Sequence, residues 1–251
     1  IMCGIVGIYL KTKKFEKNLG KMLSGMLNNM ESRGPDSAGF AIYKNERNKI
    51  YKFSLCINNL NFNIFKKELS KKIKKIKLNQ ISDHVILKTE EKPKKILEIL
   101  NLNFPEVSIV GYGKSIEIFK QVGNPKDVVK KFKLADFVGT HGIGHTRMAT
   151  ESAITTDGSH PYSTGEDECL VHNGSLSNHN NLRRELTKKG NVFNSENDTE
   201  VAAGYISHSL SNKKSLKDTL TSGLKDLDGF YTFITGTRKG FAVVRDEIAC
   251  K

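Results

Sequence analysis

One segment carries nearly all of this chain's charge, and that asymmetry constrains the fold more than any other feature. Between Lys44 and Lys133 lie 20 Lys, one Arg and nine acidic residues, a net of +12, against a formal +13 for all 251 residues. The flanking parts are close to neutral. The sequence therefore predicts a body built from two outer parts, with a basic segment of its own organisation inserted at about 45–137. The charge does not require an anionic partner. Lys outnumbers Arg by 33 to 7, and Lys, Asn and Ile are all heavily used; these residues share A/T-rich codons, so codon bias accounts for the composition. Nucleic-acid readers favour the bidentate guanidinium, and no nucleic-acid partner is expected. No apolar run approaches the ~20 residues that span a bilayer, and Cys3 to Leu10 is too short for a secretory signal, so no membrane partner is expected. Cys3, Cys56, Cys169 and Cys250 lie far apart without zinc-ligand spacing. The reading is a reducing compartment, the cytoplasm, with no metal and no cofactor.

The coarse pattern is mixed. Gly4 to Leu10 suits a buried strand, and Phe15, Leu19, Met22, Leu23, Met26, Leu27 and Met30 recur at helical spacing. Arg33 to Gly39 is a turn, and Phe40 to Tyr43 a second strand. In the middle segment, Ile50–Ile57 and Val85–Lys88 read as strands and Val107–Gln121 as mostly strand. Phe62–Ile76, Lys94–Leu102 and Pro125–Phe132 read as helices. This middle part looks like a small α/β subdomain with nothing catalytic in it, and His84 is expected to face solvent. In the last part, Cys169 to His172 is a strand running into an Asn-Gly turn. Ser177 and Asp198 stand where helix caps would, Leu216 to Leu227 marks a further helix, and Phe230–Thr235 and Phe241–Val244 read as strands.

Cys3 follows Met2 directly. Loss of the residues before it would leave its α-amine, pKa ~7.7–8, as a built-in base for its own thiol. Further along come Arg33-Gly34-Pro35-Asp36-Ser37-Ala38-Gly39, His145-Thr146-Arg147-Met148-Ala149-Thr150, His172-Asn173-Gly174 and Asp198-Thr199-Glu200-Val201. Together with Met2-Cys3-Gly4-Ile5-Val6-Gly7, this ordered set resembles the class II, N-terminal-nucleophile glutamine amidotransferases. The resemblance covers the two outer parts. It implies an α+β fold, a four-layer α-β-β-α sandwich of two antiparallel sheets, with the small α/β segment inserted and one amidotransferase domain over 2–251.

The resemblance also implies roles. Cys3 is the nucleophile, and Asn173 and Gly174 form the oxyanion hole. Arg147 grips the α-carboxylate of L-glutamine and Asp198 its α-ammonium. Thr150 and His160 line the glutamine pocket, Arg33 and Asp36 shape the wall behind the N-terminus, and His145 and His172 are structural. Cys3 would displace ammonia from the side-chain amide and leave a glutamyl thioester for water to hydrolyse. The ammonia would pass to a synthase partner subunit.

Two departures from the family pattern are informative. Met148 stands where many members carry Trp, and Glu151-Ser152 where they carry His-Gly. These runs and the long Gly39–His145 stretch are similar to the glutaminase subunits of glutamate synthase-like and N-methylglutamate synthase-like complexes. The alternatives are the glutaminase domain of glucosamine-6-phosphate synthase or another class II amidotransferase, and a non-catalytic regulatory or binding subunit. Ile1 before Met2 implies either a residue foreign to the natural start or removal of both. The stop at Cys250-Lys251, straight after a strand, reads as a truncated C-terminus. A last expectation concerns the basic insert, as a docking surface for an acidic partner.

Overall fold

The computed structural model describes residues 3–44, 49–58, 60–149 and 153–249. The first half runs β1 (Gly4–Tyr9), α1 (Leu19–Asn29), β2 (Ser37–Tyr43), β3 (Tyr51–Cys56), α2 (Phe62–Lys72), β4 (Lys77–Ile81), β5 (His84–Thr89), α3 (Pro93–Asn103) and β6 (Ser108–Gly113). The second runs β7 (Ile116–Val122), α4 (Pro125–Lys131), β8 (His141–Arg147), β9 (Cys169–Leu176), α5 (His179–Lys188), α6 (Asp198–Ser211), α7 (Leu216–Asp226), β10 (Gly229–Thr237) and β11 (Gly240–Arg245). No described helix is long and apolar enough to cross a membrane.

Successive strand residues point to opposite faces, and the strands of the body are apolar on both. One antiparallel sheet has the order β1-β8-β2-β7, a second the order β11-β10-β9. On β2, Ala38, Phe40 and Ile42 pack with Leu19, Leu23 and Leu27 of α1 and Val128 of α4. Ala41 and Tyr43, on the other face, meet Ile143, Val171 and Ile234 between the sheets. Beyond the second sheet, Leu170, Leu176, Tyr231 and Phe233 pack against Ala202, Ala203 and Ile206 of α6 and Leu227 after α7. The result is the expected α-β-β-α sandwich.

The basic stretch divides between two structures. β3 to β6 form a separate antiparallel sheet, β4-β5-β3-β6. Its core is Phe53, Leu55, Phe65, Leu69, Leu87, Ile96 and Leu100. β7 and α4 belong instead to the body, because Ile118 and Phe119 alternate between the inter-sheet core and the α1 layer. The run Val107–Gln121 is thus two strands in two sheets. The chain turns between them where Asp167 Oδ1 accepts the N–H groups of Ser115 (2.7 Å) and Ile116 (3.1 Å). A buried ion pair, Lys52 Nζ to Glu117 Oε1 at 3.1 Å, ties the inserted sheet to β7, and Ser54 Oγ accepts the Ile118 N–H at 2.8 Å.

Three local expectations need correction. His84 does not face solvent: it is fully buried, edge-on to Phe132, with Nδ1 2.9 Å from Asp83 Oδ1. Helix α2 stops at Lys72, and the following Lys77–Ile81 is strand β4, half-exposed at the sheet edge and too polar to signal itself. The caps of α5 and α6 are Asn178 and Asn197, one residue away from Ser177 and Asp198.

Candidate active site

Cys3 lies one residue before the β1–β8 pair Gly4–Thr146, which sets it beside the end of β8. Its Sγ accepts the Met148 N–H at 3.4 Å and lies 3.7 Å from Met148 O, and the residue is partly exposed. Asp36 holds the same stretch: its N–H donates to Arg147 O at 3.0 Å and its Oδ2 accepts the Ala149 N–H at 2.8 Å. Arg147 is buried, and its Nη1 donates to Ala153 O at 3.2 Å. The expected wall residues separate here. Asp36 joins the site, whereas Arg33 ends a short turn with its side chain exposed and makes no side-chain hydrogen bond or ion pair among the described residues. Thr150 lies outside the described residues.

Asn173 and Gly174 sit near the end of β9, paired with Thr232 and Tyr231 of β10. Gly174 has φ +146°, and a Cβ there would stand 2.0 Å from Phe230 O. Only glycine keeps the strand paired through this bend. Two residues on, the Leu176 N–H donates to Asp198 Oδ2 at 2.8 Å. Asp198 is the first residue of α6, where the helix dipole favours a carboxylate. The preceding loop is fixed by Glu200, whose carboxylate accepts from Asn194 N, Ser195 N and Ser195 Oγ at 2.8–2.9 Å.

Three histidines bind the two sheets together at this end. His145 on β8 stacks on His160 with ring centroids 3.8 Å apart, and its Nε2 donates to His172 O on β9 at 2.8 Å. His160 Nε2 and His172 Nδ1 each lie 2.9 Å from Thr199 Oγ1. Burial penalises the charged imidazole. It pushes His145 down to about 3, His160 well below its ordinary value, and His172 down as well. All three rings are neutral at pH 7.

The loop carrying His160 rests on two further residues. Gly39 lets it approach β2, since a Cβ there would stand 2.1 Å from His160 O. Buried Lys120 on β7 donates from Nζ to Asp157 O (3.0 Å) and Ser159 O (2.8 Å), and burial lowers its pKa to about 8. Lys120 and Thr199 are the site residues that sequence reasoning passed over. A signal existed for Lys120: it stands at i+2 and i+4 from Ile118 and Ile116, on the inward face of β7. For Thr199 the signal was only its position beside Asp198.

Shared contacts thus join the ends of β1, β8 and β9, the start of α6 and the 153–160 loop into one polar patch. It offers a thiol, a buried guanidinium, an Asn-Gly bend and a helix-terminal carboxylate. Such a two-sheet sandwich, with a thiol at the head of its first strand, is the N-terminal-nucleophile hydrolase architecture. A solved structure with this fold is glutamine phosphoribosylpyrophosphate amidotransferase from B. subtilis, with a TM-score of 0.52 and 19% identity over 98% of this chain and 37% of that one. A family profile described as a glutamine amidotransferase domain matches residues 145–251. The glutamine amidotransferase-like protein GlxB of Rhizobium meliloti is 49% identical over 253 residues, all of this chain and 84% of that protein. Glutamine–fructose-6-phosphate aminotransferase of Idiomarina loihiensis is 32% identical over 137 residues, 55% of this chain and 22% of that one. The chain belongs to the class II glutamine amidotransferase family, enzymes characterised by an N-terminal cysteine nucleophile.

Proposed function

We propose that Cys3 hydrolyses the side-chain amide of L-glutamine and that the ammonia is delivered to a synthase partner subunit. With the residues before it removed, the α-amine of Cys3 takes the thiol proton and the sulfur attacks the amide carbon. The new C–S bond leaves a tetrahedral oxyanion, stabilised by the Asn173 side-chain amide and the Gly174 N–H; preorganised donors of this kind contribute most where charge develops. As the C–N bond breaks, the ammonium of Cys3 returns its proton to the leaving nitrogen, and ammonia departs. Water then adds to the glutamyl thioester, the C–S bond breaks, and glutamate and the free thiol result. Arg147 holds the substrate α-carboxylate as a bidentate donor, Asp198 holds the α-ammonium, and His160 and Thr150 line the pocket. Asp36 braces the strand end beside Cys3.

The observation that carries this reading is the Cys3 thiol held against the backbone of Met148, next to buried Arg147. Its test is Cys3→Ala, which should reduce glutamine hydrolysis to background while calorimetry still detects glutamine binding. Normal turnover in that variant would refute the mechanism.

The acceptor is a synthase of the glutamate synthase or N-methylglutamate synthase type. Against the fructose-6-phosphate aminotransferase alternative, that match covers only 55% of the chain, whereas similarity to GlxB runs along the whole of it, inserted sheet included. Helix α2 and the turn after it offer the partner a basic face: Lys66, Lys67, Lys71 and Lys74 are all exposed. Replacing these four with Glu should weaken assembly with the synthase subunit in sedimentation experiments, more so at low salt. Unchanged assembly would exclude that face.

A further inference from the structure

We propose that Thr199 is a positioning residue for substrate selection, its hydroxyl setting the Asp198 carboxylate and the tautomers of His160 and His172 in one fixed arrangement. The inference rests on the reading of Asp198 as the site for the glutamine α-ammonium.

Thr199 is the second residue of α6 and is buried to 1% exposure. One oxygen, Oγ1, meets three polar atoms: Asp198 Oδ1 at 3.3 Å, His160 Nε2 at 2.9 Å and His172 Nδ1 at 2.9 Å. A hydroxyl has one proton to give and two lone pairs to accept with, and an ionised carboxylate only accepts. If Thr199 donates to Asp198, both imidazoles must donate to Thr199, so His160 carries its proton on Nε2 and His172 on Nδ1. The leftover ring nitrogens are then His160 Nδ1 and His172 Nε2. These are the two atoms of those rings with no hydrogen-bond partner among the described residues. In this assignment they hold bare lone pairs. Any assignment in which an imidazole takes the Thr199 proton puts an N–H on one of those unpartnered nitrogens and leaves Asp198 Oδ1 without this donor. Satisfaction of buried donors therefore selects one arrangement.

That arrangement has a consequence for the substrate. Asp198 Oδ2 is held by the Leu176 N–H and Oδ1 by Thr199, so the carboxylate plane is fixed from two sides. The Asp198 side chain remains 20% exposed, which leaves lone pairs reachable by a ligand. Thr199 also links that carboxylate to His160, and through His160 to the loop that Lys120 pins. The ammonium site and the pocket wall are thereby set by the same oxygen. Without the hydroxyl, the carboxylate loses one of its two braces, and the cost falls on recognition of the α-ammonium.

The experiment compares kcat/KM for L-glutamine with that for glutaramate, the same amide chain lacking the α-ammonium, in the full chain. Thr199→Val should lower the preference for glutamine about 5- to 10-fold, expressed mainly in KM, and Thr199→Ser should restore it. Asp198→Asn should abolish most of the preference. If Asp198→Asn loses the preference but Thr199→Val keeps it, the Thr199 proposal is overturned and the Asp198 reading stands. If Asp198→Asn keeps the preference, both fall. A measurement on the unmodified protein guards against a misfolded variant: nitrogen-15 spectra of the histidines should report Nε2–H for His160 and Nδ1–H for His172 at neutral pH. The opposite tautomer at either ring would overturn the proposal.

Discussion

The inserted sheet and the sandwich beneath it bury similar apolar side chains but very different polar ones. The core of the insert runs from Phe53 and Leu55 to Ile96 and Leu100. Three of its buried polar residues contact the body or the seam with it: Lys52 pairs with Glu117, Ser54 takes the Ile118 N–H, and His84 packs on Phe119 and Phe132, while buried Thr89 accepts the Glu91 N–H within the insert. The sandwich, by contrast, buries His145, His160, His172, Thr199, Lys120 and Arg147 at one end. A buried polar group costs free energy unless bonded, and a network left half-satisfied is worse than an apolar core. The two regions therefore teach where the chain accepts that cost: at a seam, to join two sheets, and around the strand ends, to hold a site. The buried lysines make the same point. Lys52 meets a carboxylate at 3.1 Å, while Lys120 is held by the carbonyls of Asp157 and Ser159, an arrangement that stiffens a loop rather than cancelling a charge.

If the polar end of the sandwich is the catalytic apparatus, single changes there should act on rate. Asn173→Ala should lower kcat by ~10²–10³ with the fold intact, the usual loss for an oxyanion-hole donor. Steady-state kinetics with circular dichroism checks this, and a change below threefold would break the contrast. If the insert is a scaffold, a core truncation there should act on stability alone. Leu100→Ala should destabilise by about 2–5 kcal/mol and raise amide exchange across β3 to β6, while kcat for glutamine stays within twofold. A smaller effect sharpens the picture through pH. Free imidazole titrates near 6.5, whereas His145 in the fold stays neutral down to about 3. Between those values the unfolded chain binds more protons, so stability is full above pH 6.5 and is lost as pH falls towards 3. The slope is about 1.4 kcal/mol per pH unit for each such group. Urea midpoints at pH 7.5 and 4.5 should show the drop, and His145→Phe should reduce it by that residue's share, leaving the part due to His160 and His172.

Much of the fold was legible because its signals are local. The short apolar runs Gly4–Leu10 and Phe40–Tyr43 and the helical spacing of Leu19, Leu23 and Leu27 need no tertiary context. The end of the charged stretch and the end of the inserted sheet do not coincide. The charge runs on past Ser115 because Lys126, Lys130 and Lys131 lie on the solvent side of α4, where charge is tolerated in body and insert alike. Strand β4 was missed because an exposed edge strand can be as polar as a loop. At the site, order along the chain marked Cys3, Asp36, Arg147, Asn173, Gly174 and Asp198, and the structure joins their strand and helix ends through shared contacts. Arg33 carried the same kind of signal and stays at the surface.

The sequence alone determined most of the strands and helices, the order of the motifs and the residues able to do chemistry, since periodicity and residue type are properties of neighbours along the chain; the layers came only through the family resemblance. Only the tertiary structure decided which polar residues share hydrogen bonds. His145 and His160 belong to β8 and a loop, His172 to β9, Thr199 to α6 and Lys120 to β7. Their contacts span up to 39 residues of separation. A side chain's polar partners depend on which surfaces meet when two sheets close, and no local pattern encodes that.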